Sequence, residues 1–360
     1  MKNRIEVIQL LRGIAAMLVC FFHMKTMLNF PSIKLGEMLF GHGAIGVPLF
    51  FIISGFIMVF TTKSSDGSGK YVGKFLVKRL MRIIPIYFFL TFFYMLFQGS
   101  LVEYFTTKSD ILIKALTFQP TFLKHTGSSY GMPPLIVGWS LNYEMLFYIL
   151  FAASMFLKKY RYHFIFALFL FLVFGAPIIH HGFVSLDSSR YYEYPVQYMN
   201  ILTNPTLLFF LSGVIFGLIY LSDFKIQSGV ILFSLLGISI VFFLIILFIN
   251  PVIFQPTQFM LLSCGLLVFI MLMIQKRYDF RVPKPLVYLG DMSYSIYLIH
   301  PLIISFVSDF FKKIGVPYLT KQPLFFFEAT VIIILISILS YEYFEKRFIG
   351  YVTSKLIKKK

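Results

Sequence analysis

Arg12 and His23 lie in the run VIQLLRGIAAMLVCFFHM, which is otherwise almost entirely apolar. Eleven residues is close to three helical turns, so a helix would project both side chains from one face, roughly 16 Å apart along its axis. A neutral imidazole in such a setting suits a general base, and a guanidinium suits an anion or developing negative charge. Each residue also has a plainer reading. Arg12 fits a snorkelling anchor and His23 a helix–helix hydrogen bond. Their joint presence on one face favours chemistry.

Three further groups stand out. The run KRLMRIIPIYFF carries Arg79 and Arg82 three residues apart, on one helical face. A guanidinium fork suits phosphate, although basic clusters also mark the cytoplasmic side of a membrane protein. GWSLNYEMLFYILF sets Ser140, Glu144 and Tyr148 at spacings of four, making one polar stripe beside Trp139, the only tryptophan. Trp139 equally suits an interfacial anchor. In GDMSYSIYLIHPLI, residues Ser293, Tyr297 and His300 share a face and are assigned to structural hydrogen bonding. Ser54, in GVPLFFIISGFIM, is read with Gly46 and Gly55 as a small packing residue, because no base stands beside it in the sequence. Glu342 and Glu345 beside Lys346 and Arg347 read as interfacial ion pairs. Cys20 and Cys264 lie in apolar runs and read as packing residues.

Composition states what must position these groups. Of 360 residues, 58 % are apolar, 13 % are charged and 46 are Phe. A soluble chain of this length cannot hide so much apolar surface, so its solvent is largely lipid. Disorder, collagen-like repeats and a disulfide scaffold are excluded. The expected fold is all-α: a polytopic membrane protein with about ten transmembrane helices and no soluble domain. The spans read as roughly 6–28, 42–62, 82–98, 135–157, 163–181, 204–222, 228–250, 257–275, 286–310 and 322–344. The first is read as a span rather than a signal peptide, because Arg12 interrupts it and no small-residue cleavage site follows. Residues 1–345 are expected to form the membrane domain and 346–360 a basic cytoplasmic tail.

The net charge is +17. Nucleic acid is not expected as the partner, because the charge is dispersed between apolar 20-mers. With both termini in the cytoplasm, about 23 of the 32 Lys and Arg fall inside. Lys312, Lys313 and Lys321, in one outer loop, run against this trend. The excess also suits anionic lipid or an anionic cosubstrate. Two outer loops are long, about 99–134 and 182–203, and the second is rich in Tyr. Its rings suit sugar stacking or an interfacial belt equally well.

Taken together, these motifs resemble the acyltransferase 3 family of polytopic membrane acyltransferases, across nearly the whole chain. The elements are Arg12 with His23; Phe50, Phe51, Ser54, Gly55 and Phe56; Arg79, Arg82, Pro85 and Tyr87; Trp139, Ser140, Leu141 and Glu144; and Tyr294, Ser295, Tyr297 and His300. Five elements in family order are specific where one would be weak. GWSLNYEMLFYILF also looks like the exopolysaccharide O-acetyltransferase subgroup. The C-terminal hydrolase-like domain of some relatives is not expected here.

The resemblance implies transfer of an acyl group, usually acetyl from acetyl-CoA, to a hydroxyl of an envelope or secreted glycan. It implies that Arg12 and His23 are essential and that Arg79 and Arg82 help bind acyl-CoA. The residues' own chemistry agrees. Acyl-CoA is a cytoplasmic polyanion facing a basic cytoplasmic mouth. His23 is expected to take the proton of the acceptor hydroxyl. Glu144 is expected to orient His23 or stabilise its imidazolium, and Arg12 to steer the thioester or stabilise charge. Ser140, Trp139 and Tyr148 are candidates for the substrate site. No metal and no tightly bound cofactor is expected, with acetyl-CoA as donor substrate. The expected partners are acyl-CoA, a glycan or lipid-linked glycan, and membrane lipids, in the inner (plasma) membrane. Two other readings compete. Buried charges in ten spans suit a glycan transporter or flippase, although no internal repeat is seen. A membrane O-acyltransferase of unrelated fold also uses an intramembrane His, but the early position of His23 argues against it.

Overall fold

Inside a bilayer every backbone N–H and C=O needs a partner within the chain, and a helix supplies one. The computed structural model describes residues 4–121, 131–249 and 257–358, and the described residues form helices and no strand. Lys2, Lys359 and Lys360, residue 250 of the expected seventh span, and part of the 99–134 loop lie outside them. Ten helices among the described residues are long and apolar enough to cross a membrane. They are Glu6–Leu28, Leu35–Thr61, Gly69–Phe97, Ile136–Met155, Lys158–His181, Met199–Leu221, Gly229–Phe248, Thr257–Tyr278, Ser293–Lys313 and Pro323–Ile357. The protein is a multi-pass membrane protein, as its composition requires.

Several boundaries differ from the sequence reading: the second, fifth and sixth spans begin five to seven residues earlier, at Leu35, Lys158 and Met199. The third span begins at Gly69, not near 82. Its basic start hides it from hydropathy, but Ser68 caps it, accepting the Tyr71 N–H at 3.2 Å. The Ser68 N–H in turn donates to Asp66 Oδ1 at 2.8 Å, which holds the Asp66 carboxyl below the ordinary carboxylate range. The ninth span begins at Ser293, because Lys284–Asp291 forms a separate short helix. The tenth runs on through a π-helical stretch, Ser340–Ile349, into Gly350–Lys358, with no break at 345. In that stretch Lys346 pairs with Glu342 at 2.9 Å.

The chain divides into two compact units. The first comprises Met1–Phe60 and Ser212–Ile338; the second comprises Thr61–Leu211 and Leu339–Lys360.

In the first unit, glycines let helices touch backbone to backbone. A Cβ on Gly46 would meet the Ala15 carbonyl, one on Gly213 the Ile52 carbonyl, and one on Gly290 the Gln9 carbonyl. Small residues at such crossings are how membrane helices gain packing without a hydrophobic drive between them. The start of the first span is pinned by long-range bonds. Arg4 grips Asp291 with both contacts at 2.6 Å. Glu6 accepts the Val282 N–H at 2.9 Å, and Gln275 accepts the Val7 N–H at 3.3 Å. Gly290→Leu is therefore expected to destabilise the protein by about 3 kcal/mol through overpacking. Gly237→Leu, where a Cβ meets open space, is the control. Thermal unfolding in detergent measures both, and equal midpoints would contradict the crossing. The seventh span buries Leu232, Ser239, Phe243 and Ile246, a single stripe, and exposes Val230, Ile231, Phe233, Ile238 and Val241. Lipid is the solvent that accepts such a face.

In the second unit the fourth span is the central helix. From Ser140 to Tyr148 only Glu144 escapes full burial. Phe147 stacks on Phe210 with ring centroids 4.4 Å apart. Gly138 lies against the Tyr87 ring, where a Cβ would come within 2.5 Å of its hydroxyl. In the 182–203 loop, Tyr192 and Tyr194 are buried. His181 stacks on Tyr192 at 5.0 Å and meets Tyr194 edge-on at 4.7 Å. Those ring faces are occupied against neighbouring rings, and Asp187, Arg190 and Glu193 are the loop's exposed charges.

Candidate active site

The candidate residues fall into two groups, one in each unit. The first unit holds Arg12, His23, Phe50, Ser54, Tyr297 and His300. The second holds Arg79, Arg82, Tyr87, Trp139, Ser140, Glu144 and Tyr148.

His23 sits near the end of the helix Glu6–Met24, one turn after Val19. Its Nδ1 lies 2.9 Å from the Val19 carbonyl oxygen and 3.2 Å from His300 Nε2. A carbonyl oxygen only accepts, so His23 Nδ1 carries the proton. In neutral His23 the other nitrogen, Nε2, then has a free lone pair, as a general base requires. His23 is half-buried and His300 fully buried. The pair is framed by aromatic rings. Phe22 meets His23 edge-on at 5.1 Å, Tyr297 meets His300 at 6.1 Å, and Phe50 meets Tyr297 at 5.7 Å. Thus the first, second and fifth sequence elements converge in the first unit.

Arg12 is buried, and its guanidinium donates to Gln9 Oε1 at 2.9 Å, one turn earlier on the same helix. The helix is continuous from Glu6 to Met24, so Arg12 and His23 keep the shared face and a rise of roughly 16 Å. That is too far for both to reach one carbonyl group. Ser54 Oγ is buried without a hydrogen-bond partner among the described residues. No base is bonded to it among the described residues, which suits packing rather than nucleophilic attack.

In the second unit, Val72, Phe75, Arg79, Ile83 and Ile86 form one buried stripe of the third span. Helical periodicity therefore carries Arg79 inward, ten residues into the helix rather than at its start. Arg79 donates to Thr61 Oγ1 at 2.9 Å and lies over the rings of Phe75, at 5.6 Å, and Tyr148, at 5.7 Å. The Tyr148 hydroxyl donates to the Glu144 carboxylate, and that carboxylate attracts the Arg79 guanidinium. Glu144, expected to serve His23, is thus tied to Tyr148 and Arg79, while the Nδ1 position of His23 is filled by Val19 and His300. Tyr148, a candidate for the substrate site, is fully buried and supports Arg79. Ser140 Oγ donates to the Val137 carbonyl at 3.1 Å, and Trp139 is half-buried, edge-on to Tyr143 at 6.2 Å.

Two basic cavities flank the Arg pair. One of about 370 Å³ is lined by Thr61, Thr62, Tyr71, Lys74, Phe75, Lys78 and Arg79. The other, about 360 Å³, is lined by Lys78, Arg82, Glu345, Ile349, Gly350, Thr353, Ser354 and Ile357. Lys78 borders both. Sequence reasoning missed Thr61 as a partner of Arg79, since that contact needs the earlier start of the third span. It also left His300 as structural. The dipeptide His300-Pro301 was the available signal, because proline inside a helix frees a carbonyl for a side chain to use.

The chain is thus an integral membrane protein with a histidine carrying a free lone pair in one unit and two basic cavities in the other. The sequence profile of the acyltransferase 3 family, an acyltransferase domain, matches residues 5–342, and the chain belongs to that family. It is similar to the exopolysaccharide production protein ExoZ of Rhizobium meliloti (strain 1021), with 30 % identity over 316 residues, 84 % of this chain and 89 % of that protein. It is also similar to the putative acetyltransferase ORF330 of Acidianus two-tailed virus, with 27 % identity over 333 residues, 90 % of this chain and 91 % of that protein. No solved structure matches.

Proposed function

We propose that the protein moves an acetyl group from acetyl-CoA to a hydroxyl of an exopolysaccharide or another cell-envelope glycan. It does so in the plasma membrane, with both termini cytoplasmic. The observation that carries the reading is His23, whose Nδ1 proton is engaged and whose Nε2 is left as the basic atom. That Nε2 takes the proton of the acceptor hydroxyl as the hydroxyl oxygen attacks the thioester carbonyl carbon. The C–S bond then breaks and Nε2–H returns the proton to the leaving thiolate. The products are the ester and CoA thiol, and His23 is neutral again. Arg12, too distant for that carbonyl, steers the anionic donor. The family and the similarity to ExoZ support the glycan as acceptor, and the distribution of Lys and Arg supports the orientation.

Arg79, Arg82, Lys74 and Lys78 suit the phosphates of the donor. A charge-assisted hydrogen bond is worth about 1.5–3 kcal/mol. Arg82→Ala is therefore expected to raise the KM for acetyl-CoA by at least about tenfold with kcat little changed. An unchanged KM would remove Arg82 from the donor site.

The reading is tested on polysaccharide from a deletion strain and from strains complemented with wild type or His23→Ala. Proton NMR follows the O-acetyl methyl signal. Loss on deletion, return with wild type, and no return with equally expressed His23→Ala support the reading. An unchanged acetyl signal with altered polymer export would point to a transporter instead.

A further inference from the structure

We infer that His300 is a positioning residue for His23: a neutral second imidazole that holds the base's Nδ1 proton and stabilises the imidazolium formed when Nε2 takes up the acceptor's proton. The inference rests on the proposed role of His23 as the base.

The proton positions follow from the partners. His300 Nδ1 faces the Ile296 carbonyl oxygen at 3.0 Å. A carbonyl oxygen only accepts, so the proton of His300 is on Nδ1. Neutral imidazole has one N–H, so His300 Nε2 presents a lone pair. It points at His23 Nδ1, 3.2 Å away, whose proton is shared with the Val19 carbonyl at 2.9 Å. The chain of donors runs one way: His23 Nδ1–H to His300 Nε2, and His300 Nδ1–H to Ile296. It ends at the free lone pair of His23 Nε2.

This arrangement needs no rearrangement during the reaction. When Nε2 gains a proton, the Nδ1–H···Nε2 bond is already made, and it becomes charge-assisted, roughly twice as strong. It strengthens as charge develops, which is what lowers a barrier rather than merely tightening a fold. A purely packing residue at 300 would not need this. His300 is fully buried, and a leucine would fill such a site without leaving a polar atom to satisfy. The histidine brings a buried Nε2 that faces the candidate base at 3.2 Å.

The test uses purified full-length protein in detergent, with acetyl-CoA as donor and polysaccharide from the deletion strain as acceptor. His300→Leu removes the acceptor for the His23 proton. His300→Gln places an amide oxygen near the position of Nε2, whereas His300→Asn places its amide near the position of Nδ1, short of His23. The expected order is wild type, then His300→Gln within about threefold, then His300→Asn and His300→Leu, slower by about 30-fold in kcat with unchanged KM for acetyl-CoA. Should His300→Leu fail to fold, His300→Gln against His300→Asn decides. Full activity of His300→Leu or His300→Asn, or a His300→Gln as slow as His300→Asn, would overturn the inference. A second arm is independent of activity. In protein carrying 15N-histidine, a scalar coupling between His23 Nδ1 and His300 Nε2 is expected across the hydrogen bond, and its absence would overturn the pair. The two readings fail differently. Inactive His23→Gln with fully active His300→Leu removes the positioning role alone. Fully active His23→Gln removes the base, and the positioning role with it.

Discussion

His23→Gln is expected to lower acetyl transfer by about 10³-fold while the protein folds and binds acetyl-CoA as before. General-base catalysis contributes about 10²–10⁴-fold. Glutamine keeps a polar side chain of similar reach and can satisfy neighbours of His23. It cannot accept a proton at the pH of the cell. The loss should therefore fall on kcat, with KM for acetyl-CoA within about twofold, since the change removes an interaction made only in the transition state. Steady-state release of CoA thiol, run beside a thermal-unfolding control, measures it. A His23→Gln enzyme with full kcat would exclude His23 as the base whatever its hydrogen bonds. His23→Ala should be equally inactive. Inactive alanine with active glutamine would mean that the imidazole only fills space.

Arg79→Met is expected to cost about 2–3 kcal/mol of stability, through loss of a charge-assisted hydrogen bond and of a cation over two rings. Arg79 is buried on the inner stripe of the third span, bonded to Thr61 and over the ring of Tyr148. Removing its charge takes away a cation near Glu144 and Tyr148. Glu144→Gln alone should cost less, because an amide still accepts the Tyr148 hydroxyl and that side chain is only half-buried. The double variant Arg79→Met with Glu144→Gln should be less destabilised than the sum of the two, with a coupling of about 1–3 kcal/mol. Strict additivity in thermal unfolding would mean that the two charges do not interact. Arg79→Lys should not restore wild-type stability. A lysine ammonium cannot both reach Thr61 and stack flat over the Phe75 and Tyr148 rings.

The membrane class, the ten spans and the family were legible in the sequence because they depend on local quantities. A span needs about 20 apolar residues in a row, and a helical face follows from spacing alone. The same locality put Arg12 and His23 on one face, where the structure keeps them. It failed at the start of the third span. There Lys70, Lys74 and Lys78 lower the hydropathy, but Ser68 and the stripe Val72, Phe75, Arg79 still dictate a helix. Arg79 therefore read as a phosphate-binding or positive-inside cation at the entry of the span, whereas it lies buried ten residues into the helix.

Which side chain meets which was beyond the sequence, because such contacts join residues far apart in the chain. His23 and His300 are 277 residues apart, and Arg4 and Asp291 are 287 apart. A carboxylate at Glu144 and an imidazole at His300 are equally plausible partners for His23 on spacing. Only packing assigns His300 to His23 and Glu144 to Tyr148 and Arg79. Periodicity says which way a side chain leaves its own helix; the crossing of helices, set by backbone contacts such as Gly46 on Ala15 and Gly290 on Gln9, decides what it finds there.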